Sequence, residues 1–196
     1  MTYHFLYVKY VNPTVTAFPP EGIKLLELEK TVRGKDSLPY DLTLGKFTTV
    51  RKGLEKSFDL DDVRQPIWPD YLNSPYAVGL FSRRFRDVVR QHLTGLEDID
   101  WIRCHVTYRS EAEDYFMLRF LSAPDVIDEE HTVYHRPGDV LWPAFNAEKI
   151  AQVSVFPWFP PYTEIPSLVI VRNDIRLHAL REGLTGMSFK KLTNIF

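Results

Sequence analysis

Leu168-Val169-Ile170-Val171-Arg172-Asn173-Asp174, running on to Leu184-Thr185-Gly186-Met187-Ser188-Phe189, decides how this chain is read. A β-branched apolar run passes through Asn-Asp into residues at helical spacing and stops at a glycine, which spells strand, turn, amphipathic helix and stop. Val78 to Leu96 repeats that order. Val78-Gly79-Leu80-Phe81 is the apolar run and Ser82 stands where an N-cap belongs. Phe85, Val88, Val89 and His92 fall on one helical stripe, and Leu93-Thr94-Gly95-Leu96 closes the unit. Phe85 corresponds to Ile175, 90 residues on, and Gly95 to Gly186, 91 residues on, so the second helix carries one inserted residue. Neither copy holds a catalytic or phosphate-cradling pattern. The best-patterned parts of the chain are scaffold, and function has to be sought in surface chemistry.

Working outward, Tyr3 to Val11 is rich in aromatic and β-branched residues and ends at Asn12-Pro13, which predicts a first strand. Ile23 to Lys30 suits a short helix or a strand. Gly34 to Pro39 reads as a loop, and Leu42, Leu44 and Phe47 lie in a Thr-rich run that favours extended chain. Trp68-Pro69-Asp70-Tyr71 leads into the first unit, and the change of composition there divides one domain, 1–196, into halves 1–72 and 73–196. Trp101 to Thr107 and Tyr115 to Leu121 read as an antiparallel pair joined by an acidic connection, Arg109-Ser110-Glu111-Ala112-Glu113-Asp114. The expected fold class is α+β, a mainly antiparallel sheet flanked by a few helices, with strand-turn-helix units at 78–96 and 168–187.

At 196 residues and 22.9 kDa the chain suffices for one well-cored domain that buries roughly 70% of its unfolded surface. A hydrophobic fraction of 44% and a charged fraction of 26% are ordinary for a globular protein and argue against disorder. No stretch approaches the roughly 20 apolar residues of a membrane span. The start, Met1 to Tyr10, lacks a basic region before an apolar core and a small-residue cleavage site, so the expected address is the cytoplasm. The net charge of -2 gives no global attraction to nucleic acid. The single cysteine, Cys104, excludes an internal disulfide, and its apolar neighbours predict a buried thiol.

The terminal unit carries a family likeness. Val171-Arg172-Asn173-Asp174-Ile175 followed by Leu180-Arg181-Glu182-Gly183-Leu184-Thr185-Gly186-Met187-Ser188-Phe189 resembles the C-terminal signature of a bacterial family of immunity proteins from polymorphic toxin systems. Val126-Ile127-Asp128-Glu129-Glu130-His131-Thr132 is similar to that family's strand-ending run of an apolar pair, an acid, charged residues and a hydroxyl. The resemblance covers roughly Val78 to Phe196. It implies a cytoplasmic protein that binds and neutralises a cognate toxin, without catalytic residues or cofactors.

Several residue sets compete for a role. His131 and His135, preceded by Glu129 and Glu130, are the raw material of a metal or hydrolytic site, but the intervening Thr-Val-Tyr favours a strand, which would hold the two rings about 13 Å apart. The zinc-protease order, a serine elbow and a Walker loop are missing. Arg83, Arg86 and Arg90 share one face of the first helix and suit an acidic partner, nucleic acid or plain solvent. Acidic residues cluster at Asp59 to Asp62, at Glu97-Asp98-Ile99-Asp100, and at Asp125 with Asp128-Glu129-Glu130. The acid at Asp128 also suits a turn cap. In Phe156-Pro157-Trp158-Phe159-Pro160-Pro161-Tyr162, prolines forbid regular structure and stiff aromatics offer a binding rim. The expected contact residues for a protein partner are Asp98, Asp100, Trp158, Phe159 and Tyr162; a small hydrolase and a nucleic-acid module are the competing readings.

Overall fold

The structure, a computed structural model, describes residues 1–9, 14–23, 28–47, 68–136, 139–158 and 163–193. In chain order the elements are β1 (Tyr3–Val8), β2 (Thr14–Phe18), α1 (Leu28–Val32), β3 (Leu42–Phe47), β4 (Tyr71–Leu72), β5 (Leu80–Ser82), α2 (Arg83–His92), β6 (Ile99–Tyr108) and β7 (Glu111–Phe120). Then follow β8 (Val133–Arg136), β9 (Asp139–Trp142), α3 (Ala147–Ile150), β10 (Val155–Pro157), β11 (Val169–Arg172), α4 (Asn173–Arg181) and β12 (Met187–Lys191). The fold is α+β with mostly antiparallel sheet, as the sequence predicts.

Two larger sheets organise the molecule. One has the order β2-β3-β6-β7-β5-β4 and is antiparallel except for the β3–β6 pair; the other is an antiparallel β10-β11-β1-β12 sheet. The backbone of the first is the β6–β7 hairpin, paired from Ile99↔Phe120 to Tyr108↔Glu111. Its turn is only Arg109-Ser110, with Arg109 at φ 53. The predicted acidic connection is therefore mostly strand: Glu111, Glu113 and Asp114 belong to β7, where Glu111 accepts from the Trp68 indole at 2.9 Å, Glu113 is exposed and Asp114 meets the cross-strand His105. Ile102, Cys104 and Val106 alternate with exposed Arg103 and His105, while β7 from Tyr115 onward is buried on both faces. A strand covered on both sides loses the polar alternation that marks a half-buried one.

The division at residue 72 does not coincide with a boundary between sheets. β1 is an internal strand between β11 and β12, and β3 lies between β2 and β6, so each sheet combines strands from both halves.

In both repeat units the strand runs straight into its helix, but α4 has 9 residues against 10 in α2, so the extra residue expected inside the second helix lies instead in the turn before Gly186. β5 runs directly into α2, whose Ser82 Oγ accepts from the Phe85 amide at 3.2 Å, the predicted cap. β11 likewise runs directly into α4, so the expected turn at Asn173-Asp174 is already helix. Arg172 at its cap position makes no side-chain cap bond; the Asp174 carboxylate accepts from the Ile175 amide at 2.9 Å and is held by the Arg172 guanidinium. Gly186 sits at φ 78 and a Cβ there would lie 2.5 Å from the Tyr71 carbonyl oxygen, so both backbone conformation and close approach require glycine at that stop.

α2 and α4 pack antiparallel. Arg84 at the start of α2 donates to the Glu182 carbonyl at 2.7 Å, and His92 at its end meets His178, with Nε2 and Nδ1 2.9 Å apart. Their apolar stripes, Phe85, Val88, Val89, Ile175 and Ala179, share one core with Leu6, Phe81, Leu118, Val155 and Val171 from both sheets. The other face of the six-stranded sheet is covered through Leu28 and Val32 of α1, and the outer face of the four-stranded sheet by Phe145 and Ile150 beside Tyr3, Phe156 and Ile170. Among the described residues no helix is long and apolar enough to cross a membrane.

Candidate protein-binding surface

Between Val126 and Asn146 the described chain forms a segment outside the two larger sheets. The segment starts from a tied-down turn: Asp128 Oδ1 accepts from the Glu130 amide at 3.1 Å and from the His131 amide at 3.2 Å. Desolvation raises the Asp128 carboxyl, but hydrogen bonds from the His131 backbone and ring and from Glu130 outweigh it and hold the group below its ordinary value. Thr132 closes the turn by donating to the Asp128 carbonyl at 2.6 Å and accepting from the Ala144 amide at 3.1 Å. The acid at 128 is thus a turn cap, as its position suggests. An Ile127↔Phe145 bridge anchors the base of the β8–β9 pair on the core formed by Phe145 and Ile150 with Tyr3, Phe156 and Ile170.

Beyond that base, among the described residues β8 and β9 pair only with each other. Val133 stands opposite Trp142 and Tyr134 opposite Val140, so Leu141 is an extra residue that bends the ribbon. Four large apolar side chains face solvent here: Val133, Tyr134, Leu141 and Trp142 are 37 to 63% exposed. Scattered exposed hydrophobics need no explanation, whereas four large ones gathered on one short hairpin are a set that suits an interaction surface. Trp142 is not loose. Its ring meets Trp158 edge-on at 6.2 Å, and Trp158 in turn packs on Phe5 at 5.0 Å and Phe145 at 5.8 Å. The hairpin's edges carry Glu129, which accepts the Tyr134 hydroxyl, with Glu130 exposed beside it, against one exposed cation on β8, Arg136.

The sequence-derived contact residues fall in different places. Trp158 is half-buried with its amide bonded to the Leu168 carbonyl, so it is the foot of this surface. Phe159 and Tyr162 lie outside the described residues, as does the Asp59 to Asp62 cluster. Asp98 is exposed at the entry to β6, and Asp100 is the counterion of Arg119, a guanidinium 6% exposed that also donates to the Val32 carbonyl. No hydrogen bond or ion pair among the described residues links Asp98 or Asp100 to Trp158. What sequence reasoning missed is Val133, Tyr134, Leu141 and Trp142. Their signal was present, since Val-Tyr-His-Arg-Pro-Gly-Asp-Val-Leu-Trp is two apolar-aromatic runs around a Pro-Gly pair, a composition that predicts a hairpin.

The competing constellations take other shapes. The arginine stripe does not stay together: Arg86 folds over the Phe116 ring at 4.0 Å while Arg83 and Arg90 remain exposed. His131 bonds to Asp128 at 3.1 Å in the turn and His135 lies in exposed β8. Among the described residues no three His, Cys, Asp or Glu side chains gather as a metal cage. Cys104 is fully buried, and burial pushes its thiol up, away from reactive thiolate. A cleft of about 740 Å³ opens between Trp68, Asp70, Arg83, Arg84, His105 and Asp114. Its central acid is committed to structure: Asp70 accepts from Ser82 Oγ at 2.7 Å and from the Thr185 amide at 2.9 Å.

Searched against known protein-family models and against curated proteins, the chain has no significant match.

Proposed function

We propose that this chain is a cytoplasmic immunity protein that binds a cognate bacterial toxin domain and neutralises it by stoichiometric occlusion. The observation that carries the reading is the β8–β9 hairpin, which holds Trp142 and three further apolar side chains in water on an aromatic footing. Rigid aromatics lose little entropy on binding and dominate interface energetics, so such a surface favours a protein partner over a small substrate. The likeness of Val126 to Thr132 and of the terminal unit to the immunity family supports the same assignment, and the first of these segments forms the hairpin's base. Asp70, Ser82 and Thr185 in the large cleft are engaged in holding the two repeat units together, which supports binding over turnover. Co-expression with the toxin encoded beside this gene tests the proposal. Wild-type protein restores growth, and Trp142→Ala weakens protection; failure of the wild type to protect would remove the assignment.

A further inference from the structure

Deepening that reading, and resting on it, we infer that the β8–β9 hairpin is built for a partner with a cationic face, and that a second copy of this chain is not its occupant. The apolar centre is Val133, Tyr134, Leu141 and Trp142, and its neighbour in the chain is the acidic turn Asp128-Glu129-Glu130. Glu129 touches the Tyr134 hydroxyl, which sets its carboxylate at the edge of the apolar patch rather than far from it. The nearby cation of Lys149 is neutralised by Asp125 at 2.7 Å, and the hairpin's own Arg136, exposed at the end of β8, leaves Glu129 and Glu130 in excess. A partner covering the hairpin at Tyr134 therefore meets the Glu129 carboxylate beside an apolar ring, where lysine or arginine gains charge-assisted hydrogen bonds as water leaves.

Symmetry argues against self-association. A two-fold pairing through this hairpin repeats the same patch on both sides and gathers two sets of carboxylates into one interface. Like charges brought together cost binding energy, whereas opposite charge accelerates encounter and fixes register.

Two dye-labelled peptides test this, one alternating lysine with valine and one alternating glutamate with valine. Anisotropy titrations on the full chain at low salt and at high salt should show the lysine peptide binding at least about tenfold more tightly than the glutamate peptide, with the difference shrinking in salt. Trp142→Ala, and separately the double change Glu129→Lys and Glu130→Lys, should each weaken the lysine peptide about tenfold; Leu177→Ala, exposed on α4, should not. Melting temperatures check that the variants are folded, and the charge variant carries the test should the tryptophan variant misfold. Equal affinity for both peptides, no binding of either, or a dimer in sedimentation that Trp142→Ala dissolves would overturn the inference. Lysine-peptide binding by a chain that fails to protect against the toxin would keep this surface and discard only the toxin assignment.

Discussion

Asp70 is the residue on which the two repeat units meet. Its carboxylate, almost wholly out of water, holds the cap hydroxyl of the first unit, Ser82, and the backbone of the second unit's stop at Thr185. Removing it leaves a partly buried amide and hydroxyl without their acceptor, so Asp70→Ala should lower unfolding free energy by about 1–3 kcal/mol in a denaturant titration. Glu97 has a comparable role. Burial raises its carboxyl, yet hydrogen bonds from the amide and hydroxyl of Ser154 and from Thr94 outweigh that and bring it below its ordinary value. A carboxyl lowered in the folded state contributes stability that is present above the ordinary value near 4.5 and lost as pH falls through the folded one. Glu97→Gln should therefore flatten the loss of stability below about pH 4.5, measured by melting at stepped pH, and leave the slope near neutrality unchanged. Neither residue announces itself in sequence, because Asp and Glu in loops are ordinary surface and only the fold supplies Ser82, Thr185 and Ser154 as partners.

At the scale of elements, what was legible was what is local. The strand-helix units could be read because Ser82, the 3.6-residue stripe and the glycine stops each act within a few residues of one another. Ser82→Ala should cost about 1 kcal/mol, read as a drop in melting temperature. The β6–β7 hairpin was placed correctly but its turn was read too long, since Glu111, Glu113 and Asp114 suggest a loop until cross-strand pairing with His105 and its neighbours overrides propensity. Arg86 left its predicted face because the Phe116 ring beside α2 offers it a cation–π seat that sequence spacing does not disclose. The β8–β9 hairpin was hidden for a different reason. Its apolar residues look like core until the structure leaves them uncovered.

For the whole molecule, the fold class followed from alternation and turn chemistry, whereas the interleaving of both sheets did not. Non-local pairing such as β1 between β11 and β12 has no short-range signal. It has a consequence for truncation. A fragment 73–196 lacks an internal strand of each sheet, so it should show no cooperative unfolding transition, measured by circular dichroism on heating; a sharp transition would make the C-terminal half independent. Function belongs to this scale as well, because the proposed surface joins β8 and β9 to Trp158 and Phe5 from distant parts of the chain. The most direct measurement is a titration of the isolated toxin domain's activity with increasing amounts of this protein. The account predicts inhibition that is linear in added protein, complete at one molecule per toxin and about tenfold weaker for Trp142→Ala. Complete inhibition at a small fraction of one equivalent, with chemically altered toxin, would show turnover and contradict it.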